Sequence, residues 1–366
     1  NRNDKVYFRG SRSSQSVASV SNYIQFNLTG KLSVGGNINS LLSPDESVYK
    51  NIDDYTTFES ANIDAFWGLF YDQSALVDAS QLKLNTNKLA PYCYSNMFYG
   101  CTSLTHAPEL SATTLANSCY SYMFRNCTSL VQAPELQATT LVGYCYSSMF
   151  YGCTSLNQAP ELSATILAHN CYWYMFRNCT SLVQAPELPA TTLAGYCYSN
   201  MFSGCASLTQ APELSATTLS NNCYENMFSY CTSLNYIKCL ATDIVANSMT
   251  GWVTNVASIG TFECDNKKYF TLDSPNGIPV GWTIKEINPD IEKPDLDVFN
   301  PEIPFCIENV GNVPAEVGLY NNSTATAVRT NCKISYNNST WSDYALAVTT
   351  DKTSIDISKI TLQNKG

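Results

Sequence analysis

Two series of cysteines, each recurring every 26 residues, are the first candidates for chemistry in this 366-residue chain. Zinc sites usually need paired ligands about two to four residues apart. The spacings between successive cysteines here are eight and eighteen, and no histidine accompanies them, so we expect no metal at these thiols. The inner series is Cys93, Cys119, Cys145, Cys171, Cys197 and Cys223, and the outer series is Cys101, Cys127, Cys153, Cys179, Cys205 and Cys231.

The cysteines of both series are either disulfides or buried thiols. An oxidising environment would favour disulfides, but a column of identical stacked positions gives no thiol a preferred partner. Both series occupy positions where apolar core residues belong, so we expect free thiols that pack as small hydrophobic groups. The better disulfide candidates are the four cysteines outside the series, which are Cys239, Cys264, Cys306 and Cys332.

One glutamate also recurs in each repeat and forms a second candidate column. Carboxylates stacked about 5 Å apart repel each other by up to about 1 kcal/mol in water. Calcium takes clustered oxygen ligands and would relieve this repulsion, whereas solvated repulsion is the alternative. The column, a calcium candidate, consists of Glu109, Glu135, Glu161, Glu187 and Glu213, and we expect no other metal or cofactor.

Catalytic and nucleic-acid-binding functions find little support in the residues. The two histidines, His106 and His169, lie in no nucleophile or metal motif, so we expect a noncatalytic protein. The net charge is −10 and no cluster of Lys and Arg provides a basic face, which excludes a typical nucleic-acid partner. No apolar run approaches the roughly 18 residues that a transmembrane helix needs.

The elements that position these residues are copies of one 26-residue unit. The segment CTSLTHAPELSATTLANSCYSYMFRN begins at Cys101, and near-copies begin at every later cysteine of the outer series. Such a period indicates a solenoid. SLTHAPEL predicts a short strand for a parallel sheet, and apolar spacings of three or four in NSCYSYMFRNC predict a short helix. Degenerate copies at 65–73 and 234–249 predict capping repeats.

Two aromatic columns accompany the predicted helix. The Met-Phe pairs, such as Met123 and Phe124, are expected in the core. The tyrosines that follow the inner cysteines are expected at the surface or edge of the helical side, either as a binding surface or as a simple cover. They are Tyr94, Tyr120, Tyr146, Tyr172, Tyr198 and Tyr224.

Composition divides the chain into four segments. Residues 1–62 are rich in Ser, Asn and β-formers and predict an N-terminal β cap. Residues 63–287 hold the solenoid with its degenerate end repeats. Residues 288–304 are acidic and Pro-rich, which is typical of a stiff extended linker. Residues 305–366 alternate polar and apolar residues and predict a small antiparallel β module.

The repeat resembles the BspA-like leucine-rich repeats found on the surfaces of Bacteroides and related bacteria. The matching residues are Met123, Phe124 and the CTSL that begins at Cys127, with the APEL that follows. DKVYFRG, GTFECD and GIPVGWTI also resemble the setting of that family, so the resemblance covers roughly residues 1–287. The 26-residue period is longer than is typical. The resemblance implies a leucine-rich-repeat solenoid at the bacterial cell surface or secreted, with a role in adhesion and recognition.

The best ligand candidates are the outward positions of the predicted strand, which come as pairs. Solenoids bind through the concave sheet, and the first member of each pair varies while its neighbours barely change. We expect a protein or glycan ligand here, and drift at an exposed site is the alternative. The positions are Thr105, His106, Val131, Gln132, Asn157, Gln158, Val183, Gln184, Thr209 and Gln210.

The C-terminal segment suggests a second function. In the family that the repeat resembles, the sequence ISYNNSTWSDYALAV…ISKITLQNKG usually precedes DKVYFRG, which here begins at Asp4. One interpretation is that this sequence is cut at an arbitrary point from a series of tandem modules. The other is that the C-terminal module of one chain docks on the N-terminal strands of the next chain. Because a head-to-tail contact that does not close yields a filament, the second interpretation predicts a fibre subunit.

Overall fold

The computed structural model describes Phe8, residues 25–41, 66–84, 86–245, 247–272 and 277–287, and the backbone of four short strands near the C terminus. The chain divides into two units, Asn1–Ile291 and Glu292–Gly366. Helix in these described parts is limited to two 3-10 turns, Ile38–Leu41 and Lys267–Tyr269. The regular structure is therefore mostly strands in small sheets, combined with a repeating aromatic ladder.

The first sheet pairs strand β1, Leu32–Asn37, in parallel with strand β2, Leu76–Lys83. The two backbones approach most closely at Gly35, where an added Cβ would lie 2.9 Å from the Cβ of Gln81. That distance is shorter than real Cβ contacts, so the pairing requires glycine at this position.

A second parallel sheet follows the last repeat. Strands β3 (Tyr236–Cys239), β4 (Gly260–Cys264) and β5 (Trp282–Glu286) lie in that order and in unbroken register. Ile237 and Phe262 are fully buried, while their neighbours along the strands are half-buried. This alternation is typical of a strand with one face on the core.

Between these sheets, the strand side of the repeats is reduced to isolated parallel bridges, such as Gln132 with Gln158. The continuous parallel sheet predicted for the repeats does not form there. Proline follows two residues after Gln132 and Gln158, at Pro134 and Pro160, and a proline has no N–H to donate to a ladder. In β3 the corresponding residue is Lys238, and a continuous strand does form.

The helix predicted on the other side of each repeat is wrong. Residues 116–127 form overlapping turns in which backbone N–H groups alternate between two kinds of acceptor. The N–H of Met123 donates to the carbonyl of Tyr120 at 3.2 Å, within the repeat. The N–H of Phe124 donates to the carbonyl of Met149, in the next repeat, at 2.9 Å. An α-helix would use all of these donors internally and leave none to join the repeats.

This turn run has a four-residue period, which explains the wrong prediction. Ser118, Tyr122 and Asn126 have φ values of +56°, +60° and +60°, a left-handed conformation that an α-helix excludes. Core residues such as Cys119 and Met123 consequently recur every four positions. Over a dozen residues, that period closely matches the 3.6-residue period of a helix.

Two stacks of aromatic rings form the core of the repeats. Rings 26 residues apart stack at 5.4 to 5.7 Å in the phenylalanine column and at 5.8 to 6.2 Å in the tyrosine column. The Met-Phe core prediction is confirmed, but the surface position predicted for the tyrosines is wrong. The buried tyrosines are Tyr94, Tyr120, Tyr146, Tyr172, Tyr198 and Tyr224.

The degenerate copies at both ends continue this core. Phe66 stacks on Tyr94 at 6.0 Å, and Phe70 stacks on Phe98 at 5.4 Å, which confirms the alignment of residues 65–73 with the repeat. Beyond the second degenerate copy, the ring of Trp252 lies tilted at 6.4 Å from Phe228. At the N-terminal end the phenylalanine column continues past Phe70, whose ring stacks on the half-buried Phe26 at 5.4 Å.

The part of the second unit that the structure describes consists of four short strands in two antiparallel pairs. Strand β6, Ala315–Val317, pairs with β9, Ile360–Leu362, and strand β7, Asn331–Ile334, pairs with β8, Ser342–Ala345. These strands lie in the segment for which the sequence predicts an antiparallel β module, and the residues of the predicted linker, 288–304, lie outside the described ones.

Candidate functional site

The ten outward residues predicted as ligand contacts lie in two adjacent rows, which we call the strand face. Nine of them are exposed and Thr105 is half-buried. Two of the exposed residues are apolar, Val131 at 45% and Val183 at 56% exposure. The strand face comprises Thr105, His106, Val131, Gln132, Asn157, Gln158, Val183, Gln184, Thr209 and Gln210.

Backbone hydrogen bonds between repeats hold these rows in register. Gln132 and Gln158 form a parallel bridge, and the N–H of Asn157 donates to the carbonyl of Val131 at 3.2 Å. The described bridges of this row join only some neighbouring repeats, Asp78 with His106, Gln132 with Gln158 and Gln210 with Tyr236. Backbone bonds in the turn runs join every repeat to the next, so the outward side chains recur at regular intervals. The strand face is therefore preorganised for a ligand that spans several repeats.

Polar contacts fix the first residues of the strand face. The N–H and Oγ1 of Thr105 both donate to the carbonyl of Val77, at 2.8 and 3.0 Å, and Oγ1 lies 2.9 Å from Nδ1 of His106. The backbones of His106 and Asp78 form an isolated parallel β-bridge. The N–H that Ser80 donates to the Asp78 carboxylate lowers the pKa of that carboxyl group. These contacts place His106 on the strand face as a positioned polar group.

A row of glutamates, exposed except for the half-buried Glu213, borders the strand face. The outermost two are paired, Glu109 with Lys83 at 3.9 Å and Glu213 with Lys238 at 2.7 Å. Among the described residues, no three His, Cys, Asp or Glu side chains come together to hold a metal. The predicted calcium column of Glu109, Glu135, Glu161, Glu187 and Glu213 thus lacks the clustered oxygens that the ion requires.

The cysteine series are buried free thiols, as predicted. All fourteen cysteines whose side chains are described are free and buried. The predicted tendency of the irregular cysteines to form disulfides is wrong for Cys239 and Cys264, which face each other across strands β3 and β4. The side chains of Cys306 and Cys332 lie outside the described residues.

Burial makes these thiols unreactive. Desolvation raises the pKa of Cys153, Cys171 and Cys231 to about 12, so they carry almost no thiolate at neutral pH. In the outer series each thiol instead acts as a donor, as when Sγ of Cys153 donates to the carbonyl of Phe124 at 3.1 Å. The arrangement is that of a packed core and offers no sulfur nucleophile.

On the turn side, the structure contains a cleft that the sequence analysis missed. Its volume is about 350 Å³. Tyr144 and Tyr196 flank His169, with ring centroids 6.2 and 5.3 Å from the histidine ring in edge-on contacts. We call this the aromatic cleft, lined by Tyr144, His169, Asn170, Trp173, Tyr196 and Glu225, with Tyr174, Asn200 and Asn226 around them.

Departures from the repeat are the signal that would have revealed this cleft. Trp173 and Glu225 interrupt a column that is otherwise serine, as at Ser147 and Ser199. The repeats before and after carry glycine, Gly143 and Gly195, at the position equivalent to His169. A Cβ added at Gly195 would lie 3.1 Å from Nδ1 of His169. The missing side chain therefore leaves room for the histidine ring.

The chain matches no family model, no curated protein and no solved structure. Within the described ranges, no helix combines the length and the apolar character that crossing a membrane requires.

Proposed function

We propose that this protein is a noncatalytic recognition protein that binds a protein or glycan through the strand face. The observation that carries the proposal is the contrast between the two kinds of repeated position. Cys, Met, Phe and Tyr positions are buried and nearly constant, whereas the strand face is mostly exposed and mostly polar, and the first residue of each of its pairs varies from repeat to repeat. Exposed variation on a rigid, repeated scaffold is how repeat proteins present binding surfaces.

The chemistry of the strand face favours a polar ligand without strong charge. Its glutamines, asparagine and threonines donate and accept hydrogen bonds, and Val131 and Val183 add apolar contacts two repeats apart. The glutamate row beside it disfavours an acidic partner. Peptide backbone and sugar hydroxyls are the groups that this surface complements.

We also propose that the repeats form a solenoid of the leucine-rich-repeat type, related to the BspA-like proteins, and that the protein acts outside the cytoplasm at a bacterial surface or after secretion. The solenoid is supported by hydrogen bonds that join residues 25 apart and by ring stacks 26 apart. Buried thiols with raised pKa resist oxidation, so the free cysteines are compatible with an oxidising location.

The test of the strand face is capture from a printed array of glycans and a panel of extracellular-matrix proteins. The triple variant Gln132→Ala, Gln158→Ala, Gln184→Ala is expected to lose most of the capture. The matched control, Thr139→Ala, Thr165→Ala, Thr191→Ala, changes three exposed side chains on the same three repeats and is expected to bind normally. Equal capture by both variants would refute this assignment.

A second candidate function is head-to-tail assembly through the C-terminal module. The observation that favours it is strand β1, which pairs on one side with β2 and lies at the edge of the described sheet. An edge strand can accept a strand from another chain. Light scattering of the full chain would then give masses that grow with concentration, and deleting residues 305–366 would abolish the growth. Growth that survives the deletion would refute the docking.

A further inference from the structure

We propose that the aromatic cleft is a second binding site, independent of the strand face, and that its ligand is a neutral saccharide. The volume of about 350 Å³ lies near the lower end of the range of roughly 300–1,000 Å³ for small-ligand sites. The cleft therefore suits a small unit of a larger molecule, such as one sugar of a glycan.

The walls of the cleft provide aromatic surfaces for the apolar face of a sugar ring. Trp173 and Tyr174 lie with ring centroids 4.4 Å apart at an angle of 51°, and Tyr144 and Tyr196 stand on the two sides of His169. Such rings bury apolar area while their polar atoms stay hydrated. The C–H groups of a pyranose can pack against them and leave its hydroxyls free for polar partners.

Two residues of the cleft, Asn170 and Glu225, present oxygen acceptors. Asn170 is only 7% exposed, and its Oδ1 has no hydrogen-bond partner among the described residues. Glu225 is oriented by Ser199, whose Oγ lies 3.4 Å from Oε2 and itself accepts from Nδ2 of Asn200 at 3.0 Å. A buried acceptor without a donor destabilises a protein, and a ligand hydroxyl would supply the missing donor.

This acceptor set favours a saccharide over a proline-rich peptide, the other ligand that aromatic clefts commonly take. Prolines have no N–H, so such a peptide would leave the Oδ1 of Asn170 without a donor. Sugar hydroxyls both donate and accept. Among the described residues that line the cleft there is no Lys or Arg, and Glu225 is acidic, so the cleft disfavours an anionic ligand.

The cleft is held rigidly by bonds between repeats. The N–H of Asn170 donates to the carbonyl of Gly195 at 3.3 Å, and that of Tyr174 to the carbonyl of Ser199 at 3.1 Å. Because the backbone is fixed before a ligand arrives, little ordering is needed on binding.

The test is calorimetric titration of the full chain with the neutral oligosaccharides cellohexaose, mannohexaose and chitohexaose and with a proline-rich peptide. Trp173→Ser and Glu225→Ser restore the residue that most repeats carry, so both variants should fold. Each is expected to weaken saccharide binding by at least about tenfold. Tyr92→Ser removes an exposed tyrosine at the same repeat position as Tyr144 but outside the cleft, and should leave binding unchanged.

The outcomes separate this site from the strand face. Saccharide binding that depends on Trp173 and persists in the triple Gln→Ala variant supports the cleft, whatever becomes of the strand face. The proposal is overturned if no oligosaccharide binds saturably up to about 10 mM. It is also overturned if neither serine variant alters binding, or if the peptide binds in place of the sugars.

Discussion

The thiol of Cys127 donates a hydrogen bond to the carbonyl oxygen of Phe98, across a distance of 3.1 Å and twenty-nine residues of sequence. The same oxygen also accepts the N–H of Cys101 at 3.1 Å. Equivalent bonds join each outer cysteine to the phenylalanine of the preceding turn run. Cysteine therefore serves here as a small buried group that still satisfies a backbone carbonyl.

This bond predicts a difference between two substitutions of Cys127. Cys127→Ala removes both the donor and volume, and should lower the free energy of unfolding by about 1–3 kcal/mol. Cys127→Ser keeps a donor, so its loss should be smaller by about 0.5–1.5 kcal/mol. Urea denaturation of both variants measures the difference, and a serine variant no more stable than the alanine variant would show that the bond contributes nothing.

The free energy of unfolding should fall steeply as the pH rises above about 9. Burial raises the pKa of several thiols to about 12, including Cys101, Cys153 and Cys239, and raises the pKa of the buried tyrosines as well. The unfolded chain loses these protons near the ordinary thiol pKa of 9.0, whereas the folded chain keeps them. The folded state therefore binds more protons between about pH 9 and pH 12, and stability falls with rising pH.

Each such thiol should cost about 1.4 kcal/mol of unfolding free energy per pH unit within that window. Below about pH 8 the contribution of these thiols is fully present, so this part of the stability curve should be flat. Urea unfolding at intervals from pH 7 to pH 10.5, with a reducing agent present, measures the slope. A curve that stays flat above pH 9 would contradict the burial of protonated thiols.

The exposed tyrosine of the aromatic cleft should be costly to the fold. Tyr144 has φ of +57°, whereas the same repeat position elsewhere carries Asn170 and Asn222, a residue type that tolerates this conformation. Tyr144→Asn should leave the unfolding free energy unchanged or raise it by up to about 1 kcal/mol, while it weakens saccharide binding. Equilibrium unfolding and titration on the same sample test both effects, and a large loss of stability would show a structural role instead.

The phenylalanine stack should behave as one cooperative column. Phe150 is fully buried between Phe124 and Phe176, at 5.7 Å from each ring. Phe150→Ala should lower the unfolding free energy by about 3–5 kcal/mol. Hydrogen exchange should also accelerate in the turn runs of the two neighbouring repeats. Val131→Ala, at an exposed position, is the control and should change stability by less than about 0.5 kcal/mol.

The sequence predicts the buried residues of the repeat well, because a side chain that recurs at a constant interval must meet its copies. It placed Met123 and Phe124 in the core and aligned Phe66 with Tyr94 across a degenerate copy. It also identified the exposed positions of the strand face, whose role in binding stays a prediction.

The sequence-based prediction was wrong where two structures share one pattern of apolar residues. The turn run, with its four-residue period, and an α-helix place apolar residues at similar spacings. The positive φ of residues such as Ser118 distinguishes the turn run from a helix. The wrong prediction of a surface position for Tyr120 followed from the same error, because the positions that face the core differ between the two structures. The aromatic cleft was missed because residues such as His169, Trp173 and Glu225 differ from those at the equivalent positions of most repeats. The 26-residue periodicity does not reveal such residues.

The most direct test of strand-face recognition is carboxyl labelling of the protein with and without the first ligand that the array or panel identifies. Exposed glutamates of the row beside the strand face, Glu135, Glu161 and Glu187, report on that face, while Glu225 reports on the aromatic cleft. Binding at the strand face should protect the first three and leave Glu225 labelled. Protection confined to Glu225, or no protection at any of the four, would contradict the account.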